Sequence, residues 1–328
     1  MADVITLGVD LGGTKTEAAV LRRVVGSEKF EILARQRVAT PQSEGYLAVL
    51  GNTAALVRTL LAEVGLSTAQ VLVGVGMPGA VTRRGGLVKN SNTVCLNGRP
   101  FREDLSRAIG CPIAFDNDAN CFALAETLLG AGRPYAKGVV FGVILGTGVG
   151  GGLILQGRPW PGPQNLGGEW GHHAVGPWYR WDRAGRAQAG RHLGLGLTER
   201  GPCYCGKTGC VELYLSGPAI EQDYQRRSGR SLDLRRIAEA RSHDAYAVAA
   251  LAEMLEAFGR ALGNLISILD PSAIILGGGL SHLEHLYTEG VASVARYVFN
   301  DELLTPILKN ELGDSAGVLG AALLQAPG

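Results

Sequence analysis

The residues best able to do chemistry gather in two stretches, Gly168-Glu169-Trp170-Gly171-His172 and Cys203-Tyr204-Cys205-Gly206-Lys207-Thr208-Gly209-Cys210. Three thiols in one short, glycine-bearing loop form a ligand set for tetrahedral zinc, which takes thiolate and imidazole donors and needs a fourth. His172 and His173 are the candidates for that place, and His192 is a competitor nearer in sequence. A site of Cys203, Cys205, Cys210 and one histidine has no open position, so such a zinc is structural. The plain alternative is three free thiols. Glu169 and His172 lie on one side of a turn, and Glu212 follows Cys210 closely. A metal tying His172 to the cysteines draws Glu212 toward Glu169. Two carboxylates and an imidazole then line one pocket, where carboxylates accept the paired hydroxyls of a polyol. A lone glutamate is otherwise an ordinary solvated surface residue.

Asp10-Leu11-Gly12-Gly13-Thr14-Lys15 joins two strand-like runs through a tight turn. Glycines let backbone N–H groups approach phosphate oxygens with no Cβ in the way. Thr14 and Lys15 add donors. Asp10 is placed to hold hydrated magnesium, which favours one or two carboxylates plus waters. No helix follows directly, so this is neither a Walker loop nor a dinucleotide fingerprint; the alternative is a hairpin that uses glycine for its geometry. Gly146-Thr147-Gly148-Val149-Gly150-Gly151-Gly152 is a second such run. Gly8-Val9-Asp10-Leu11-Gly12 aligns with Gly142-Val143-Ile144-Leu145-Gly146, so a strand–turn–strand unit is read twice. Two turns of this kind can clamp a polyphosphate from both sides. Gly277-Gly278-Gly279, at a strand end, is either a platform for a nucleotide base or helix–strand packing. Asp116-Asn117-Asp118-Ala119-Asn120 stands at a strand-to-helix junction, where Asp and Asn are preferred caps. Several together leave Asn117 and Asp118 to face a ligand, and Asp118 is either a cap or a base for an attacking hydroxyl.

These motifs need a scaffold, and hydrophobic periodicity outlines one. Strands are predicted over residues 4–10, Thr16–Leu21, Phe30–Thr40, Val71–Gly76, Pro112–Phe115, Gly138–Leu145, Leu153–Leu155 and Ala273–Leu276, with another near Ile307. Helices are predicted over 44–64, 103–109, from Ala119, from Ser216 toward Arg227, over 245–269, over roughly 283–297 and from Ser315. On the first, Leu47, Leu50, Ala54, Val57, Leu61 and Val64 share a face; on the longest, Val248, Leu251, Leu255, Phe258, Leu262, Leu265 and Leu269 do. Residues 174–202 show no period and carry Trp178, Trp181 and arginines 180, 183, 186, 191 and 200.

With 328 residues the chain can form two domains. It is 46% hydrophobic and 19% charged with a formal net charge of +1, which gives no electrostatic case for nucleic acid or membrane. No secretory signal and no membrane-length apolar run are evident, so the expected location is cytoplasmic. Clustered thiols in a cytoplasmic protein point to metal before disulfide; Cys95, Cys111 and Cys121 read as reduced, buried thiols.

Together the motifs resemble the ROK family of sugar kinases and repressors over nearly the whole chain. Asp10–Lys15 is similar to the family's first phosphate motif, Gly146–Gly152 to its second and Gly277–Gly279 to its adenosine motif. Asp116–Asn120 resembles its catalytic segment, and Glu169–His172 with Cys203–Glu212 its sugar and zinc signature. The resemblance implies an actin-like ATPase (ribonuclease H-like) fold of two α/β domains with a cleft between them. The expected division is 1–117 with a returning helix at 312–328, then 118–311 carrying zinc. It implies ATP with Mg2+, structural Zn2+ on His172, Cys203, Cys205 and Cys210, and Asp118 as base. Sugar contacts are expected from Gly79, Asn117, Asp118, Glu169, His172 and Glu212. Nucleotide contacts are expected from Asp10, Gly12, Gly13, Thr14, Lys15, Gly146, Thr147, Gly148, Gly150, Gly278 and Gly279. A homodimer is a family expectation. Lys89-Asn90-Ser91-Asn92 and Leu96-Asn97-Gly98-Arg99-Pro100-Phe101 look most like fructokinases and mannokinases, whereas 116–126 and 142–154 look equally like N-acetylglucosamine kinases. The expected activity is therefore 6-phosphorylation of fructose, with mannose, N-acetylglucosamine or glucose as alternatives. The span from His172 to Cys203 is longer than the family pattern. Repressors of the family carry a helix-turn-helix before the first phosphate motif, and only nine residues precede Asp10 here; a sugar-sensing binder is the non-enzyme alternative.

Overall fold

The computed structural model describes residues 3–23, 30–82, 84–175, 180–181, 187–188 and 197–325. His192, Trp178 and arginines 183, 186 and 191 lie outside them. Strands β1 (Val4–Leu11), β2 (Lys15–Arg23) and β3 (Phe30–Ala39) form a meander, and α1 (Tyr46–Glu63) leads to β4 (Leu72–Met77). A ribbon of β5 (Ala80–Val81) and β6 (Val88–Lys89) precedes α2 (Phe101–Ile109), β7 (Ile113–Asn117) and α3 (Asp118–Leu128). Then come β8 (Val139–Leu145), β9 (Val149–Leu155), β10 (Arg158–Pro159) and a second ribbon, β11 (Arg180–Trp181) with β12 (Ala187–Gln188). The remainder is α4 (Glu212–Leu215), α5 (Gly217–Ser228), α6 (Leu234–Ala240), α7 (Ala245–Leu269), β13 (Ala273–Gly277), α8 (Glu289–Ala295), β14 (Ile307–Lys309) and α9 (Ala316–Leu323).

The two large sheets have the orders β3-β2-β1-β4-β7 and β10-β9-β8-β13-β14. These are the same order twice, so the echo of Gly8–Gly12 in Gly142–Gly146 marks a repeated topology. In the first sheet β1 and β2 are antiparallel, while β1, β4 and β7 run parallel. That arrangement delivers the C-terminal ends of β1, β4 and β7, and thus Asp10, Met77 and Asn117, to one edge.

Two compact units result: Met1–Gly142 with Gly152–Gly168 and Asn310–Gly328, and Val143–Gly151 with Glu169–Lys309. The sequence puts the division before Asp118, yet α3 groups with the first unit. Glycines explain this. A Cβ on Gly142 would stand 2.6 Å from the Cβ of Ala123, and one on Gly152 would stand 2.7 Å from the same atom, so α3 lies directly on these strands. α9 has a similar bed. Gly8 and Gly74 face each other in register on β1 and β4. A Cβ on Gly8 would lie 2.6 Å from the Ala322 nitrogen, and one on Gly74 2.9 Å from the Ala321 carbonyl carbon. On the core side, Leu7, Val9, Val73, Val75 and Met77 pack with Val57 and Leu60 of α1 and Phe101 and Leu105 of α2. Buried Glu126 of α3 accepts backbone N–H bonds from Ala131 (3.2 Å), Glu311 (3.1 Å) and Leu312 (2.8 Å), which fixes the segment leading into α9.

α7 matches the predicted span and ends at Asp270, which adopts a left-handed φ of 42°. α1 begins later than expected. Its buried side is Val49, Thr53, Ala54, Leu56, Val57, Leu60 and Leu61, which leaves Leu47 77% exposed. β9 begins at Val149, so Gly150, Gly151 and Gly152 belong to a strand and the second turn shrinks to Gly146-Thr147-Gly148. The helix predicted over 283–297 is shorter: single turns at Gly279–His282 and Glu284–Leu286 precede α8. Of the scattered thiols only Cys121 is buried; Cys95 and Cys111 are half-exposed.

Candidate active site and metal centre

In the first unit the β1–β2 turn is closed by the Gly12 N–H, which donates to the Lys15 carbonyl at 2.9 Å. Gly13 leaves a niche beside it. Asn92 Oδ1, Thr93 Oγ1 and Gln42 Nε2 all lie within 4.0 Å of where a Cβ would stand. Thr14 and Lys15 are exposed at the tip. Asp10 pairs with Glu17 across β1 and β2. Gly317 of α9 keeps the carboxylate clear, since a Cβ there would come to 2.5 Å from Oδ2. Burial, then the Asp118 and Glu17 carboxylates, push the Asp10 pKa up to about 7 against the pull of Arg37. A largely buried carboxylate with a second carboxylate, Asp118, in its surroundings fits a hydrated divalent cation.

The β7–α3 junction carries the three acid and amide side chains in a row. Asn117 is the N-cap, its Oδ1 accepting from the Ala119 N–H at 2.9 Å, while its amide donates to the Gly79 carbonyl at 2.9 Å. Asp116 accepts from the Asn117 N–H and from the Asn120 amide, both at 2.7 Å, and burial raises its pKa despite these bonds. Asn117 holds the N-cap position, and the Ala119 N–H is shared with Asp118. Asp118 is the first residue of α3, with Oδ1 2.9 Å from the Ala119 nitrogen. Gly79 has φ 91°, and a Cβ there would meet the Ser91 nitrogen at 2.8 Å. Its glycine is required by the backbone itself.

In the second unit the Gly146 N–H closes its turn onto the Gly148 carbonyl at 2.9 Å, as Gly12 does in the first. Thr147 is exposed at the tip. Gly150 lies in β9, where its carbonyl accepts from Trp170 Nε1 at 2.7 Å. Gly278 has φ 79° and rests on Leu145, whose carbonyl carbon a Cβ would meet at 2.7 Å; Gly279 faces open space.

His172, Cys203, Cys205 and Cys210 come together, with ligand atoms all within 4.8 Å of one another. Cys203 Sγ is 3.7 Å from His172 Nδ1, and Cys205 Sγ is 3.6 Å from Cys210 Sγ. A zinc tetrahedron with bonds of about 2.0–2.3 Å has edges of roughly 3.6–3.8 Å, so these separations fit the metal. The Lys207 N–H holds the Cys205 thiol low, whereas burial and the neighbouring thiols push Cys210 up to about 12. A central cation removes that conflict, because a coordinating thiol is deprotonated outright. His173 turns away, with Nδ1 3.1 Å from the Ala174 carbonyl.

His172 Nε2 lies 2.9 Å from the Tyr204 hydroxyl, and the two rings meet edge to face. Sequence reasoning missed this contact, although Tyr204 sits between two of the cysteines. Burial, then Glu212, Cys203, Glu169 and Cys205, push the Tyr204 hydroxyl up to about 12, so both glutamates share its surroundings. Glu169 is exposed and leads into the Trp170–His172 turn. Glu212 begins α4, and its Oε2 accepts from the Val149 N–H at 2.9 Å. That bond was also missed. Its partner is a backbone group far away in sequence, and no residue type signals it.

The ROK family sequence profile matches residues 6–327. N-acetyl-D-glucosamine kinase of Photobacterium profundum is 35% identical over 97% of this chain and 98% of its own length. The N-acetylgalactosamine kinase AgaK of Shewanella sp. is 33% identical over 97% of this chain and 95% of its own. Among solved structures, ROK hexokinase from Thermus thermophilus superposes with a TM-score of 0.80 at 30% identity, covering 98% of this chain and 97% of that one. A ROK glucokinase from Streptomyces griseus, in complex with glucose and AMPPNP, gives 0.71 at 28% identity, covering 98% of both chains. Two α/β units with repeated sheet order are the actin-like ATPase fold that these relatives share, and the chain belongs to the ROK family as an ATP-dependent sugar kinase.

Proposed function

We propose that the protein phosphorylates the 6-hydroxyl of an N-acetylhexosamine, N-acetyl-D-glucosamine ahead of N-acetyl-D-galactosamine. The observation that carries this is the series of N-acetyl-D-glucosamine kinases, at 33–36% identity, aligned over 97% of the chain. Asp118 accepts the proton of the attacking hydroxyl. Gly13, Thr14 and Lys15, like Gly146, Thr147 and Gly148, offer donors to phosphate oxygens, and Gly279 lies open for the base. Magnesium held at Asp10 would neutralise charge on the transferring phosphoryl oxygens. Glu169, His172 and Glu212 hold sugar hydroxyls. Zinc on the cysteines would fix the ring orientation and tautomer of His172. Sugar binding at Nε2 requires the Tyr204 hydroxyl to share or leave that nitrogen.

A neutral hexose is the second reading, supported by the likeness to the Thermus hexokinase. The fructose expectation is weaker. It leaned on Lys89–Asn92 and Leu96–Phe101, but Asn97 Oδ1 accepts from the Ser91 N–H at 3.0 Å and its amide donates to the Ser91 carbonyl at 2.9 Å. Asn97 therefore holds its own loop in shape. ADP release measured with N-acetylglucosamine, N-acetylgalactosamine, N-acetylmannosamine, glucose, mannose and fructose tests the reading. The highest kcat/KM is expected for N-acetylglucosamine; a higher value for fructose or glucose refutes the assignment.

A further inference from the structure

We propose that Glu212 is a positioning residue for nucleotide binding, because it ties the cysteine–histidine knuckle to the second glycine turn. The knuckle then sets the grip on ATP phosphates as well as on sugar. Glu212 Oε2 accepts the Val149 N–H at 2.9 Å. A Cβ on Gly148 would stand 2.8 Å from that oxygen, so glycine is what lets the carboxylate in. Three further ties hold the same stretch. Trp170 Nε1 donates to the Gly150 carbonyl at 2.7 Å. The Gly217 N–H donates to the Gly146 carbonyl at 2.8 Å. Gly171 packs so tightly on Val149 that a Cβ would lie 3.1 Å from its carbonyl carbon. Trp170 and Gly171 immediately precede His172, and Glu212 closely follows Cys210. The turn is therefore fastened to residues flanking both ends of the ligand set.

Such fastening matters because Gly146-Thr147-Gly148 has little rigidity of its own, and ordering glycine is entropically costly. Held from outside, its N–H groups meet phosphate in a single conformation, and this preorganisation becomes affinity. Oε2 is committed to the turn, and among the described residues Oε1 remains for a sugar hydroxyl. The inference rests on the phosphate role of this turn and the sugar role of Glu212 proposed above.

The test compares wild type, Glu212→Ala and Glu212→Gln, each with its zinc content measured. Calorimetry with a non-hydrolysable ATP analogue and Mg2+ gives nucleotide affinity, and steady-state kinetics give the sugar KM. Glutamine keeps an acceptor for the Val149 N–H and loses the charge. In Glu212→Ala the analogue is expected to bind roughly ten- to a hundredfold more weakly, with a raised sugar KM. In Glu212→Gln, analogue binding recovers while the sugar KM stays raised. Analogue affinity unchanged in Glu212→Ala overturns the inference, and a raised sugar KM in that variant would leave the sugar role standing. An unchanged sugar KM in both variants removes the sugar role instead. Chelating zinc should weaken analogue binding in wild type and in Glu212→Gln alike, and in Glu212→Ala by less than additivity requires. Strictly additive losses also overturn the inference.

Discussion

Adding one methyl group at Gly74 should unseat α9. Gly74 lies in β4 opposite Gly8, and its Cβ position is 2.9 Å from the Ala321 carbonyl carbon, with the oxygen closer still. The obstacle is helix backbone, so no side chain can swing aside. Either α9 retreats or β4 bends. α9 buries Val318, Leu319, Ala321, Ala322 and Leu323, and all of them lose contact if it lifts. A gap of about 0.5–1 Å forfeits a quarter to a half of each contact, and overpacking typically costs about 1–3 kcal/mol, sometimes more. Against this, alanine is better than glycine within a strand by roughly 0.5–1 kcal/mol. The net expectation for Gly74→Ala is a loss of about 2 kcal/mol, or roughly 4–8 °C in Tm for a unit of this size. Gly51→Ala is the control. Gly51 is exposed inside α1, with nothing within 4 Å of its Cβ position. There the same substitution should stabilise by about 0.5–1 kcal/mol. Calorimetric or circular-dichroism melting of both variants decides the matter. If Gly74→Ala melts with or above wild type, α9 does not rest on the strand as described; if both variants fall equally, the seating argument is wrong.

Asp118→Asn should lower turnover roughly 10²–10⁴-fold while sugar binding by calorimetry persists; turnover near wild type would remove Asp118 as base. Metal analysis should find one zinc per chain, absent in Cys203→Ser, and chelation should lower Tm; a metal-free wild type with full activity defeats the site. Asp10 titrates at about 7 against an ordinary 3.8, so the stability it contributes is present below the lower value and lost as pH rises through the higher. Asp10→Asn should therefore melt above wild type at pH 8, by at most about 4 kcal/mol for roughly three pKa units. The gap should close toward pH 5, and a pH-independent difference contradicts the assigned cause. Glu126→Gln keeps the shape but sets its NH2 either against the Leu312 N–H or against those of Ala131 and Glu311; a loss of about 1–3 kcal/mol is expected, and an unchanged Tm would deny it the role of clasp.

What the sequence disclosed follows from which interactions leave a residue-type signature. α7 was legible because Leu251, Leu255, Phe258, Leu262 and Leu265 must all be apolar to fill one buried stripe. The meeting of His172 with Cys203, Cys205 and Cys210 was legible because few residue types can hold a metal. The Gly8 and Gly142 echo was legible because a close helix–strand approach admits only glycine. Positions fixed by backbone partners left no such mark. Glycine could mean phosphate or packing, and only coordinates show that Gly152 clears α3, Gly278 clears Leu145, and Gly146 and Gly279 face open space. Asn117 and Asp118 both accept the Ala119 N–H and differ in place, Asn117 at the N-cap and Asp118 as the first residue of α3. The sugar itself was least legible. The stretch whose likeness suggested fructose, Leu96–Phe101, has its Asn97 bonded to its own loop, while Tyr204 meets His172 and Glu212 Oε2 meets the glycine turn. Specificity therefore has to be sought in the few polar atoms that the described residues leave uncommitted, and Glu212 Oε1 is the first to test.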